Sequence, residues 1–109
     1  MNVYDEAHNL ARAIKESGEF LEFDKMRKEI EKDEEASKMI GELQALQIEL
    51  QTAQMRGEQP DPNTMSRLQS LSAMLTTKPV AARFVQAQGA FTVMMNDVFQ
   101  IIGEAVGLQ

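Results

Sequence analysis

The run from Asp33 to Leu75, DEEASKMIGELQALQIELQTAQMRGEQPDPNTMSRLQSLSAML, decides the fold. Ala36, Met39, Leu43, Leu46, Leu50 and Ala53 recur in steps of three and four. That spacing returns side chains to one face of a 3.6-residue helix and predicts a coiled-coil-like seam. Asp33 is the expected N-cap, with Glu34 and Glu35 facing the positive end of the helix dipole. Gly57 suits the left-handed position just past the helix end. The helix then covers about 23 residues, or roughly 35 Å. Glu58-Gln59-Pro60-Asp61-Pro62-Asn63 reads as a loop, in which Asp61 caps the next helix and Pro62 takes its first position. Met65, Leu68, Leu71, Met74 and Leu75 give that helix its apolar face. Two long helices joined by a short loop predict an antiparallel α-hairpin.

C-terminal to the hairpin, Pro79 marks the start of a helix expected to run to Val106. One seam is Val80, Phe84, Ala87, Phe91, Met94, Val98, Ile101 and Ala105, and a second line is Ala81, Val85, Met95, Phe99, Ile102 and Val106. Between residues 80 and 108 only Arg83, Asp97 and Glu104 are charged. A helix apolar over so wide a face is covered on several sides. Its roughly 28 residues span about 42 Å. A compact chain of this size has a radius of gyration near 13 Å and is about 34 Å across. An elongated monomer would leave apolar surface in water, so a second chain is the simplest cover. Phe84, Phe91, Met95, Val98, Phe99 and Ile102 are the expected contact residues, because large apolar anchors carry most interface energy. The charge-free run Phe84–Asn96 is shorter than the roughly 20 apolar residues of a membrane span and is broken by Gln86, Gln88, Thr92 and Asn96. No membrane span is expected. Gly103 and Gly107 read as end-of-helix chemistry.

N-terminal to the hairpin, Asn2 is the expected cap of a first helix with the stripe Val3, Ala7, Leu10, Ala11 and Ile14. Gly18 weakens or ends this helix, although a lone glycine is also tolerated inside one. A second helix from about Glu19 to Lys32 carries Phe20, Phe23, Met26 and Ile30. Met26, Met39, Met65, Met74 and Met94 fall on apolar stripes and read as core filler, whereas Met55 and Met95 suit an interface. Gln44, Gln47, Gln51 and Gln54 share a flank of the third helix. They fit equally a semi-buried contact and plain helix-forming surface.

With 109 residues, 43% hydrophobic and 26% charged, the chain has the size and composition of one globular domain, here 1–109. The net charge is −6; residues 1–57 hold 8 basic and 13 acidic side chains, residues 58–109 hold 3 and 4. That balance disfavours a direct grip on nucleic-acid phosphates. The absence of cysteine excludes disulfides, thiolate metal sites and cysteine nucleophiles. The first residues lack a basic n-region and an apolar h-region, so no signal peptide is read and a cytoplasmic protein is expected.

Catalytic and metal chemistry find little foothold. His8 is the one histidine. A di-iron bundle needs Glu-x-x-His pairs on facing helices. Glu6 lies two residues from His8 and points elsewhere; Asp5 shares its face, but two ligands make no site. The dense carboxylates Glu29, Glu31, Asp33, Glu34 and Glu35 straddle a helix end and interleave with Lys28 and Lys32, as solvated capping surface does. No phosphate loop, nucleophile elbow or Ser/His/Asp set is present. No catalytic, cofactor-binding or metal-ligating residue is assigned, no cofactor is expected, and the chain is read as a non-enzyme.

The opening Val3-Tyr4-Asp5-Glu6-Ala7-His8-Asn9-Leu10-Ala11-Arg12-Ala13-Ile14-Lys15-Glu16-Ser17 resembles the YlbF/YmcA-like family of Gram-positive bacteria. So do Leu46–Gly57 with the Pro-Asp-Pro loop that follows, the Pro79 start, and the late Phe91, Asp97-Val98 and Ile101-Ile102. The resemblance covers nearly the whole chain. The residues give about five helices, and the resemblance implies an all-helical fold with a long helical hairpin that forms homodimers or hetero-oligomers with a related chain. It also implies regulation, since founding members act in competence, sporulation and biofilm formation and in a complex that tunes an RNA-cleaving enzyme. The chain lacks the cysteine-bearing tail associated with the founders' iron–sulfur binding, and it looks closer to a poorly characterised branch. The expected function is thus a regulatory protein acting through protein–protein contacts. The alternative is a helical sensor holding a small apolar ligand between its helices.

Overall fold

Short polar side chains mark four of the helix starts. In the computed structural model, which describes residues 2–108, there are five helices and no strand among the described residues. They are α1 (Val3–Lys15), α2 (Gly18–Glu31), α3 (Glu34–Met55), α4 (Pro62–Leu75) and α5 (Pro79–Ala105). The Asn2 carboxamide oxygen accepts from the backbone N–H groups of Tyr4 and Asp5. Asp33 accepts from the Ala36 N–H at 3.0 Å, and Asp61 from the Asn63 N–H at 2.9 Å. These are the orphan donors that open a helix. The all-α architecture and its five segments therefore agree with the sequence reading.

One boundary differs. Gly18 does not end α1 but opens α2. Ser17 makes the break: its hydroxyl donates to the Ile14 carbonyl at 2.6 Å and accepts from the Phe20 N–H at 3.1 Å. A serine that caps the following helix outweighs the breaking tendency of its glycine neighbour.

The chain divides into two compact units. One comprises residues up to Lys28 together with those from Phe84 onward; the other is Glu29–Arg83.

The Glu29–Arg83 unit is built on the α3–α4 hairpin. Thr64 donates to the Glu49 carboxylate at 3.1 Å, and Arg67 pairs with Glu42 at 3.1 Å. Moving forward along α4 thus moves backward along α3, which makes the hairpin antiparallel. Its core holds Ala36, Met39, Ile40, Leu43 and Leu46 from α3 with Leu71 and Leu75 from α4. Leu46, 1% exposed, is one of the two largest fully buried side chains. Met65 and Met74 are exposed rather than core filler. On α4 the inward line is Thr64, Leu68, Leu71 and Leu75, in steps of four, three and four. The hydrogen bond to Glu49 lets a threonine occupy an inward position.

Gly57 has φ +71° and closes α3. The Glu58 N–H reaches the Ala53 carbonyl at 2.9 Å and the Gly57 N–H reaches Gln54 at 3.1 Å. This Schellman pairing satisfies two carbonyls left over at the helix end. Gly107, φ +74°, closes α5 the same way, with Leu108 N–H on the Gly103 carbonyl at 2.8 Å. The Gly103/Gly107 pair is therefore end-of-helix chemistry, as its spacing suggested.

Lys78, the residue before α5, ties the unit together. Its ammonium lies 3.0 Å from Asp33 and 3.5 Å from Glu35 at the start of α3. The Ala36 N–H, and after it the Lys78 ammonium, hold the Asp33 carboxyl below its ordinary value. Asp33 in turn holds Lys78 above its ordinary value. The folded chain thus keeps Asp33 ionised more strongly than the unfolded chain does. This stabilisation is present above the unfolded carboxyl pKa, about 3.9, and is lost as pH falls through the lower folded value. The raised Lys78 contributes fully below about pH 10.4 and loses its share only above that. The melting temperature is therefore expected to fall as pH drops from about 5 to 3, and Asp33→Asn is expected to flatten the fall. Thermal melts of both proteins across that range check this; parallel profiles would show that Asp33 contributes nothing.

Candidate protein interaction surface

Phe20, Phe23, Phe84 and Phe91 organise the first unit. Phe23 stacks on Phe91 with an interplanar angle of 3° and centroids 5.3 Å apart. Phe20 tilts against Phe91, and Phe23 against Phe84, each at 5.7 Å. Phe20 and Phe23 sit three apart on α2; Phe84 and Phe91 sit seven apart on α5, two turns along one face. The Arg27 guanidinium lies 6.0 Å from the Phe23 ring centroid, within cation–π range. Such ring pairs each add about 0.5–1.5 kcal/mol beyond the area they bury.

Beyond these rings the unit has little interior. Its buried apolar side chains are Met26, Phe84 and Ala87. Along a single face of α5, burial declines steadily. Phe84 and Ala87 are buried, Phe91, Met94, Met95 and Val98 are half-buried, and Phe99, Ile101, Ile102 and Val106 are exposed. From Phe91 to Ala105 this face is about 21 Å long. Phe99 is 61% exposed and Ile102 48%. On α1 the stripe Val3, Ala7, Leu10, Ala11 and Ile14 contains no buried residue, and Ile14 alone is half-buried. A monomer rarely leaves contiguous apolar faces of this kind in water.

The six expected contact residues occupy different depths. Phe84 is buried inside the unit and supports the face from beneath. Phe91, Met95 and Val98 form its half-buried floor, and Phe99 and Ile102 stand at the surface. Ile101 and Val106 also stand open, although both lay on the apolar lines of the sequence. Val93 is exposed as well but lay on neither line. The open stripe of α1 was visible as a stripe, but periodicity alone does not say whether a stripe is covered. Met55 is exposed, and so are Gln44, Gln47, Gln51 and Gln54.

The polar groups form surface pairs. Lys28 bridges to Asp24 at 3.1 Å, Lys32 to Glu29 at 3.8 Å and Lys38 to Glu34 at 3.6 Å. Arg27 also pairs with Asp24. Hydrogen bonding to Lys28, then Arg27, holds the Asp24 carboxyl below its ordinary value, against partial desolvation. His8 is exposed. Among the described residues no group of three or more histidine, aspartate or glutamate side chains is placed to hold a metal ion. No described helix is long and apolar enough to cross a membrane. An open concavity of about 650 Å³ at the hairpin tip is lined by Glu49, Leu50, Glu58, Pro60, Asp61 and Thr64, among others. Three of these are carboxylates, and one already accepts from Thr64, so the lining suits water better than an apolar guest.

The family described as "Control of competence regulator ComK, YlbF/YmcA" matches residues 3–107. The chain belongs to the YlbF/YmcA family. Its relatives include a UPF0342 protein of Alkalihalophilus pseudofirmus, 37% identical over 103 residues, covering 94% of this chain and 87% of the relative. A UPF0342 protein of Desulfitobacterium hafniense is 35% identical, covering 97% and 86%. Among solved structures, a protein of unknown function (DUF964) from Bacillus stearothermophilus superposes with a TM-score of 0.80 at 23% identity, covering 96% of this chain and 92% of that one. Bacillus subtilis RicA, solved in complex with RicF, superposes with a TM-score of 0.61 at 22% identity, covering 96% and 93%. The two structures share the YlbF/YmcA fold at this level of identity. The family name is a regulatory description.

The aromatic cluster makes a direct demand on stability. Phe91→Asp removes two ring contacts and sets a charge among apolar groups, with an expected loss of about 3 kcal/mol. Phe91→Leu keeps apolar bulk and is expected to lose about 1 kcal/mol. Urea unfolding followed by circular dichroism distinguishes the two; no loss in Phe91→Leu would mean that the ring stack contributes no more than apolar volume.

Proposed function

We propose that this member of the YlbF/YmcA family is a non-enzymatic regulatory protein that works in the cytoplasm by binding other helical proteins. Its contact surface is the open half of α5, with Phe99 and Ile102 as anchors and Phe91, Met95 and Val98 as the floor beneath them. Its partner is a second copy or a related chain of the same family. Its role is that of an accessory factor in bacterial developmental or RNA-processing regulation. The observation that carries this reading is the decline of burial along one apolar face of α5, which leaves about two turns, from Phe99 to Val106, without cover from their own unit. Two findings support it from outside the chain. The family is described by the control of a competence regulator. A protein of the same fold, RicA, was solved in complex with RicF.

Anchors of this type act by being desolvated at the centre of a contact. A charge in place of Phe99 would be buried unpaired on association but stay in water in the free chain. Light scattering on a size-exclusion column is therefore expected to give at least twice the 12.2 kDa chain mass at micromolar concentration. Phe99→Glu is expected to lower that mass while the far-ultraviolet spectrum stays helical. A wild-type chain of monomer mass, with no gain on mixing with a related family member, would overturn the proposal.

A further inference from the structure

The stripe of α1 and the open half of α5 belong to the same unit, and both stand exposed. On α1, Tyr4, Ala7, Ala11 and Ile14 recur in steps of three, four and three, with Val3 and Leu10 along one edge. Val3 is 80% exposed and Tyr4 78%. The other edge is basic: His8 and Lys15 lie on it, seven residues apart. On α5 the line Met94, Val98, Ile101 and Ala105 has an acidic edge, Asp97 and Glu104, also seven residues apart. All four of these polar side chains are exposed. His8, Lys15 and Asp97 pair with no side chain among the described residues, and Glu104 accepts from the Gln100 amide at 3.4 Å. Two apolar stripes are thus left open, and each carries an unspent charged edge of the opposite sign at the same spacing.

We infer that α1 crosses to a second copy of the chain and lies parallel on the Met94–Ala105 line of its α5, each chain returning the contact. This rests on the reading of α5 as an association face. Direction follows from charge. With Tyr4, Ala7, Ala11 and Ile14 as a and d positions, His8 and Lys15 take e positions; on α5, Asp97 and Glu104 take g positions. A parallel pair brings e against g, so the basic edge meets the acidic one. An antiparallel pair brings e against e and would set His8 and Lys15 beside Met95 and Ile102, leaving the Lys15 charge unmatched. In the parallel pair the remaining edges, Val3 and Leu10 on one helix and Met95 and Ile102 on the other, are both apolar. The other charges of α1, Asp5, Glu6, Arg12 and Glu16, lie at outer positions, so no like charges are forced together. With Tyr4 level with Val98, His8 reaches Asp97 and Lys15 reaches Glu104, while Ala7 sits on Ile101 and Ala11 on Ala105. His8 donates a hydrogen bond to a carboxylate whether charged or neutral. Size points the same way. The open face of α5 offers about nine apolar residues, against 20–30 a side in a standard stable interface, and α1 adds about eight. Phe99 and Val106 stay clear of α1 and remain for the contact between the two α5 helices.

Charge reversal in trans tests the crossing, because a contact between chains can be repaired by mixing and a contact within one chain cannot. Lys15→Glu and Glu104→Lys proteins are compared with the wild-type chain by sedimentation equilibrium at low salt, with circular dichroism to check that each is helical. Each variant alone is expected to dissociate at about tenfold higher concentration than the wild type, since a matched edge becomes a repelling one. An equimolar mixture is expected to regain wild-type association. There the reversed charge at position 15 of one chain faces the reversed charge at position 104 of the other, and the native pair forms at the second contact. Variants that associate as the wild type does would overturn the α1 crossing and leave the α5 reading standing. Variants that stay weak when mixed would overturn it too. A wild-type chain that is monomeric at every concentration would overturn the α5 reading and this one with it.

Discussion

The stack of Phe23 on Phe91 marks the place along α5 where cover from its own unit begins to run out. N-terminal to it, Phe84 and Ala87 are buried; C-terminal to it, the same face opens through Met95 and Val98 to Phe99 and Ile102. A helix of 27 residues is about 40 Å long. The unit that holds its C-terminal part buries few large side chains. The hydrophobic effect scales with apolar area removed from water, roughly 25 cal/mol per Å². An uncovered face of this kind is therefore a standing drive toward association.

The two units divide the labour. Glu29–Arg83 has an interior of its own, fixed by Leu46 and its neighbours, by the Gly57 turn and by Lys78 against the cap of α3. The other unit has the aromatic cluster and two open stripes, on α1 and on α5. The hairpin is complete in itself, while the faces of the other unit are not. Membership of a family described by regulation fits a molecule whose chemistry lies in its surfaces.

Much of this was legible in the residues. The α3 seam, the Asp33 and Asp61 caps and the Gly57 turn all appear where spacing and capping rules put them, because each depends on local chemistry. The failures have equally local causes. Ser17, not Gly18, sets the α1–α2 break, because its hydroxyl serves both neighbouring helices. Met65 and Met74 looked inward by period, but α4 turns Thr64 inward and satisfies it through Glu49. Ile40 is buried although it sits beside the main seam, because the core face of α3 is broader than one line. Of the expected contact residues, Phe84 lies beneath the face rather than on it. Periodicity reports that a stripe is apolar; only packing reports how far along the helix that stripe is covered.

The central claim is that residues beyond Phe91 on α5 are covered by another chain. Amide hydrogen exchange measured at several protein concentrations tests it directly, because cover from a partner slows local opening only when the partner is bound. The account predicts that protection of amides in the segment 93–106 rises with concentration while that of 64–75 in α4 stays constant. Protection of 93–106 that does not change between nanomolar and high micromolar chain would contradict it.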